Sequence, residues 1–387
     1  MKYFEQGGLR GSVLGFGCGS AMGRVGRRDS LRAMGAAWEA GINVFDVARS
    51  YGYGEAEGLL GEFLRGRRSD AVIATKFGIS PGRPSRWKSA AKPIARKVLR
   101  LLPKARPLVR GLAASDTSAP PFTVPLMRAS LETSLRQLGT DHVDVLFMHG
   151  PPASVLENDD LMAELDQVIT EGKVRVAGLS GGREALGLAV HGPAVVQALQ
   201  TSVNFFDLSG IATANESDRL FMANHPFGGL AGIDRGITFL GEIGSDESVS
   251  AELRDKLRCV DKRVLADAVL WVALRGTRIS TVVPSMMNLD NLRANVAAIE
   301  HSQFTDQEID ILRSRLGASD LTTRTPTPAE RPTLRLTSTS LGAPRLPQDD
   351  EKASVLDEIP FRESAWLAEQ PVQPLQTGAL HPTRGST

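Results

Sequence analysis

Short β-branched and aromatic runs alternate with segments of helical period over roughly the first 300 residues of the chain. Ser12 to Gly19 (SVLGFGCG) reads as a first strand running into a glycine-rich turn. Ser30 to Ala40 follows as a helix, with Ser30 as its cap and Leu31, Met34, Ala37 and Trp38 on one apolar face. Ile42 to Phe45 is a buried-strand run that ends on Asp46, and Glu55 to Leu64 places Leu59, Leu60, Phe63 and Leu64 at helical spacing. The alternation continues with a strand over Ala71 to Thr75 ending at Lys76, an amphipathic helix over Leu126 to Leu138, and a strand over Val143 to Met148 ending at His149. A helix over Asp160 to Thr170 and a strand over Val174 to Leu179 ending at Ser180 come next. Less regularly, strands are expected at Ala194 to Leu199, Leu220 to Ala223 and Ser280 to Val283, and helices at Val264 to Leu274 and Leu289 to Ile299.

Eight strand runs alternating with helices point to a parallel α/β fold closed as a (β/α)8 TIM barrel. An open doubly wound sheet competes, but the first strand is followed by GFGCGS, without a GxGxxG opening a helix. Residues 1–318 are therefore expected to form one barrel, with an insertion at about 80–124 after the third strand. Residues 319–387, rich in Thr, Pro, Ser and Arg and lacking sustained periodicity, read as a low-complexity C-terminal tail, disordered or draped on the barrel. Within it, Val355 to Ala368, with Phe361 and Trp366, is a candidate for local docking.

Charge and composition narrow the function classes. The chain has 45 Lys and Arg against 44 Asp and Glu, which argues against a nucleic-acid binder read from net charge. Two cysteines, Cys18 and Cys259, support neither a disulfide framework nor a cysteine-rich metal site, and fit a reducing, cytoplasmic setting. No apolar run approaches the length of a membrane span, and MKYFEQGGLRG has no apolar signal core. One local exception stands out: Arg83 to Arg110 carries ten Lys or Arg and no Asp or Glu. On the barrel's active face this insertion reads as a lid that attracts an anionic substrate, as a basic surface for a membrane or partner protein, or as a solvated flap.

Asp46, Lys76 and His149 sit at strand ends, and Tyr51 follows the first of these by five residues. In a parallel barrel such ends open on one face, so residues distant in sequence converge. Read singly, each has an ordinary explanation: a turn or cap aspartate, a snorkelling lysine, a strand-capping histidine, a loop tyrosine. As an ordered set, however, the stretches FDVARSYGYGEAEGLLG, VIATKFG, DHVDVLFMHGPP, GKVRVAGLSG and VVPSMMNLDNLRAN resemble the aldo/keto reductase family over roughly residues 8 to 300. That resemblance implies reduction of an aldehyde or ketone by direct hydride transfer from NADP(H) or NAD(H), without a metal. Tyr51 would be the general acid, Lys76 would lower its pKa from about 10, Asp46 would hold Lys76, and His149 would orient a small carbonyl substrate. The competing function is a cofactor-binding regulatory or interaction protein with little turnover.

The resemblance also implies cofactor contacts. Ser180 and Gln200 match positions that bind the nicotinamide carboxamide, although Gly181 stands where the family has an asparagine, and Ser180 read alone is equally a helix cap. Around Pro226, in ANHPFGG, Asn224 replaces the aromatic residue that stacks on the nicotinamide, and His225 is either a pyrophosphate contact or a surface-loop histidine. Pro284 to Asn295 matches the adenosine-end motif, with Asn295 as the adenine reader. Ser285 and Asn291 occupy positions where members that choose the phosphorylated nucleotide carry cations, leaving Arg278 or Arg293 as substitutes.

Overall fold

The computed structural model describes residues 1–81 and 122–316. The basic run Arg83 to Arg110 and the tail 319–387 with its segment Val355 to Ala368 lie outside the described residues.

The chain starts with an antiparallel hairpin of β1 (Tyr3–Gln6) and β2 (Leu9–Ser12), turned at Gly7 and Gly8. Eight strands then follow in one sheet in sequence order: β3 (Phe16–Gly17), β4 (Val44–Asp46), β5 (Val72–Phe77), β6 (Val143–His149), β7 (Val174–Ser180), β8 (Val196–Ser202), β9 (Leu220–Asn224) and β10 (Thr281–Val283). Every neighbouring pair is parallel. Closure joins the last strand to the chain just ahead of the first. Leu14 bridges Val282, the Val282 N–H donates to Val13 O (2.9 Å), and the Gly15 and Gly17 N–H groups donate to Val282 O (2.8 Å) and Pro284 O (3.0 Å). The result is the (β/α)8 barrel that strand counting predicts, and the open-sheet alternative is excluded.

Helices α1 (Arg27–Glu39), α2 (Ala56–Phe63), α3 (Val124–Leu138), α4 (Asp159–Thr170), α5 (Arg183–Val190), α6 (Ser209–Asn215), α7 (Gly229–Gly244), α8 (Ala251–Lys256), α9 (Lys262–Leu274), α10 (Leu289–Glu300) and α11 (Asp306–Arg315) complete the described chain. Alternation along the strands produces two cores. Outward residues such as Phe45, Ile73, Leu146 and Leu199 meet the helices, where Phe45 lies between Trp38 and Phe63 with ring centroids at 6.3 and 5.8 Å. Inward residues Val44, Ala74, Val145, Phe147, Val176, Ala198 and Met222 fill the barrel, and Phe4 and Leu9 of the hairpin join that interior cluster from the end where the strands begin.

Local chemistry explains several boundaries. Asn158, Asp261 and Asn288 cap α4, α9 and α10 with their side chains, and Thr305 forms a capping box with Glu308 at α11. Ser30, expected to cap the first helix, instead lies inside α1, which begins at Arg27 behind Gly26. Its buried hydroxyl has no hydrogen-bond partner, so it serves as a small packing residue. The strand expected from Ala194 starts at Val196, because Pro193 and Val196 close a turn (Val196 N–H to Pro193 O, 3.1 Å). Helix α7 was not expected from sequence, although Ile233, Ile237, Leu240 and Ile243 recur at helical spacing and pack on the core. It carries glycines at contact points, where a Cβ on Gly232 would sit 2.2 Å from Phe227 O and one on Gly244 2.8 Å from Leu257 O. Close approach, rather than helix propensity, fixes that segment.

Among the described residues no helix is long and apolar enough to cross a membrane. The chain re-enters the described structure at Phe122, buried against Phe77 of β5 with ring centroids 5.8 Å apart, and its carbonyl accepts from Asn158 Nδ2 (3.2 Å).

Candidate active site

The inward face of five strands is apolar or glycine at its start and polar at its end. Alternation carries Val44 to Asp46, Ala74 to Lys76, Phe147 to His149, Gly178 to Ser180, and Ala198 to Gln200. Register then lines up His149, Ser180 and Gln200 across β6, β7 and β8. Five polar side chains from five strands thus occupy the barrel's C-terminal mouth, directly above the apolar interior.

Their hydrogen bonds form one chain. Lys76, 1% exposed, donates from Nζ to Asp46 Oδ1 at 2.5 Å and to the Val47 carbonyl at 3.1 Å. Gln200 Nε2 donates to the same Asp46 oxygen at 3.0 Å, and Ser180 Oγ donates to Gln200 Oε1 at 2.7 Å. Ser180 is therefore part of this network and not a helix cap; α5 starts later, behind Gly182. Tyr51 follows β4 in a short turn, with Lys76 Nζ 5.1 Å from its ring centroid. The His149 ring meets it edge-on, centroids 6.3 Å apart at 89°. The turn demands Gly52: its φ is 59°, and a Cβ there would lie 2.5 Å from Ala21 O.

Burial and charge act against each other here. Burial works to deprotonate Lys76, but Asp46 and then Tyr51 more than offset it, so its pKa is raised and the ammonium persists. His149 is pushed down to about 4, first by burial and then by the Lys76 charge, with Asp46 opposing, so the imidazole is neutral at neutral pH. The Tyr51 phenol departs from the sequence-based expectation. Its pKa is raised, because burial outweighs the lowering by Lys76, and Asp46 adds to the rise. The phenol holds its proton at neutral pH, while the lysine pulls toward its release.

Several participants had no sequence signal. The Val47 carbonyl is the second acceptor for Lys76. Buried Glu57 accepts from Arg49 Nη1 (2.8 Å) and Thr75 Oγ1 (2.7 Å), which pins the chain two residues ahead of Tyr51. Cys18 is buried near Asp46 and Lys76, with its thiol pKa raised chiefly by burial.

The remaining expected positions are spread along the rim. Buried Pro226 follows His225, whose backbone has φ 51° and whose Nδ1 lies 3.1 Å from Asn224 Oδ1. Lost hydration lowers the His225 pKa, and both Asp46 and Lys76 act on it, so this ring lies within electrostatic reach of the central pair. Ser285 follows β10, Asn291 lies in the first turn of α10, and Asn295 is buried further along that helix. Arg278 corrects an expectation. It lies at the opposite end of β10, where its guanidinium pairs with Asp218 and its N–H donates to Asn215 Oδ1 (3.0 Å). It cannot reach the mouth. Arg293 pairs with Asp290 at 3.0 Å on the surface of α10.

A parallel barrel with a buried Asp–Lys pair beside a partly buried tyrosine and a neutral histidine at its C-terminal mouth defines a class that the comparisons identify. Residues 13–206 match the model of the Aldo/keto reductase family, and the chain belongs to that family of oxidoreductases. It is 30% identical over 186 residues to a D-threo-aldose 1-dehydrogenase from Pseudomonas sp, a match covering 44% of this chain and half the length of that relative. It is 25% identical to an L-galactose dehydrogenase from Arabidopsis thaliana, over 78% of this chain and 89% of that protein. An aldo-keto reductase from Bacillus halodurans in its holo form superposes with a TM-score of 0.59 at 22% identity, over 81% of this chain and 96% of that one, a likeness of fold.

Proposed function

We propose that the protein reduces the carbonyl group of an aldehyde or ketone with NADPH or NADH, with Tyr51 as general acid. The observation that carries this reading is the buried Lys76 ammonium, held by Asp46 at 2.5 Å and 5.1 Å from the centre of the Tyr51 ring. A charge in that position is costly for folding, and its use is to bias a proton on the phenol.

The donor set fits a nicotinamide nucleotide. A glutamine amide has two N–H donors, and Asp46 takes one from Gln200; the other, with the Ser180 hydroxyl, suits a carboxamide. Pro226, Ser285, Asn291 and Asn295 would hold the rest of the nucleotide along the rim between β9 and α10. When bound, the cofactor supplies a hydride to the carbonyl carbon.

Reduction leaves negative charge on the carbonyl oxygen, which a donor must meet. His149, neutral with its pKa near 4, donates a hydrogen bond to that oxygen without adding a competing charge to Lys76. Tyr51 delivers its proton to the oxygen, and Lys76 stabilises the phenolate that remains. Asp46 keeps Lys76 charged and aimed, and Arg49 bound to Glu57 keeps the turn carrying Tyr51 in place. The relatives named for sugar oxidation make polyhydroxylated carbonyl compounds the first substrates to try.

Tyr51→Phe provides the test. Nucleotide binding, followed by fluorescence, is expected to match wild type, while turnover of an aldehyde panel falls by about 10²- to 10⁴-fold. Equal turnover by both proteins would remove Tyr51 from the chemistry. Binding without turnover in wild type itself would favour a regulatory cofactor-binding protein.

A further inference from the structure

We propose that Gln200 couples nucleotide binding to the charge of Asp46, so that the carboxamide pocket and the proton-donating centre act as one unit. This inference rests on the reductase reading above and joins its two halves. Gln200 is 0% exposed, and its amide is engaged on both sides: Nε2 donates to Asp46 Oδ1 at 3.0 Å, and Oε1 accepts from the Ser180 hydroxyl at 2.7 Å. Register sets Gln200 beside Ser180 across β7 and β8, while Asp46 reaches it from β4, 154 positions away in the chain.

Asp46 fixes which way the amide faces. Paired with the Lys76 ammonium at 2.5 Å, it offers acceptors alone, so Gln200 must turn an N–H toward it and its oxygen toward Ser180. What this leaves for a ligand is the second N–H of Gln200 and the lone pairs of Ser180 Oγ. A nicotinamide carboxamide carries the converse set, an acceptor oxygen and N–H donors. It therefore completes a ring in which every member donates once and accepts once: Gln200 N–H to the carboxamide oxygen, carboxamide N–H to Ser180 Oγ, and Ser180 O–H to Gln200 Oε1. Gly181 has no side chain to offer, and the ring needs none there. Hydrogen bonds that run in one direction polarise one another, and a polarised amide is a stronger N–H donor to Asp46. Nucleotide binding thus tightens the hold on the carboxylate that keeps Lys76 in place. By reciprocity, the charge on Asp46 tightens the hold on the nucleotide through Gln200, without touching it.

The experiment measures dissociation constants of NADPH and NADH by fluorescence titration for wild type, Asp46→Asn, Gln200→Met and the double variant, each first shown folded by circular dichroism. With Gln200 present, Asp46→Asn is expected to weaken binding about fivefold or more, since a neutral acceptor polarises the amide less. In the Gln200→Met background the same change is expected to leave binding within about twofold. A loss of equal size in both backgrounds, or no loss with Gln200 present, overturns this inference alone, provided that wild type binds. If a variant at position 46 or 200 does not fold, Ser180→Ala reads the coupling from its other end. The expected result is then a several-fold lower kcat at saturating nucleotide together with weaker binding, and weaker binding with kcat unchanged overturns the coupling. A wild type that binds neither nucleotide overturns the reductase reading and this inference with it.

Discussion

Removing the ammonium from the barrel mouth separates stability from activity. Lys76→Met deletes a group that is 1% exposed and leaves Asp46, 4% exposed, with Gln200 Nε2 at 3.0 Å as its remaining side-chain donor. A buried carboxylate deprived of its counter-ion destabilises a protein by about 3–5 kcal/mol. Asp46→Asn leaves the mirror problem, an ammonium whose acceptors, the asparagine oxygen and the Val47 carbonyl, carry no counter-charge, and is expected to be destabilising as well. In Lys76→Met with Asp46→Asn both charges are gone, and the asparagine can still accept from Gln200. The double variant is expected within about 2 kcal/mol of wild type, which gives a coupling of at least about 2 kcal/mol in the cycle. Urea unfolding of all four proteins, with unchanged slopes, reads this directly. Turnover is expected to remain lost, by about 10²- to 10⁴-fold, in both single variants and in the double. Recovered stability without recovered turnover is the signature of a charge kept for chemistry. A double variant destabilised by the sum of the singles would refute the argument, because the two charges would then not be coupled.

Two further outcomes follow from the site. The His149 imidazole has its pKa pushed from 6.5 to about 4, so between those values the unfolded chain binds the proton and the folded one does not. Its contribution to stability is therefore full above pH about 6.5 and is lost as pH falls toward 4, by at most about 3 kcal/mol, and His149→Gln should flatten that slope in denaturation measured across the window. Gly181 has no left-handed backbone requirement, and a Cβ there would come no closer than 3.3 Å, to Leu179 Cδ2, so Gly181→Asn fits and adds an amide beside Ser180. Nucleotide binding should tighten by about fivefold, the worth of one hydrogen bond, and weaker binding in a titration would show that this flank does not face the carboxamide.

Much of the site was legible because strand alternation is a strict rule. Runs that end in Asp46, Lys76, His149 and Ser180 also place those residues on the inward face, since each lies two positions after an apolar inward residue. The direction of the Tyr51 shift was not legible: a neighbouring lysine can be guessed from sequence, but the loss of water around the phenol depends on everything that packs over it. The contact between Ser20 and Ser285 escaped because the two lie 265 positions apart, a separation that local pattern does not bridge. Helix α7 escaped for a different reason, because its glycines lower propensity while permitting contacts with Phe227 and Leu257 that only the fold reveals.

The seam between β3 and β10 has a kinetic consequence. The hydrogen bonds of Val13, Gly15 and Gly17 to Val282 and Pro284 unite segments from opposite ends of the barrel sequence, so ring closure requires nearly the whole chain to be in place. Contacts of such separation form late, after the local βα units have gained their own order. A ligand that spans the seam, touching the loops that carry Ser20 and Ser285, binds only the closed ring and draws the population toward it by mass action. Completion of the barrel and readiness to bind are then a single event.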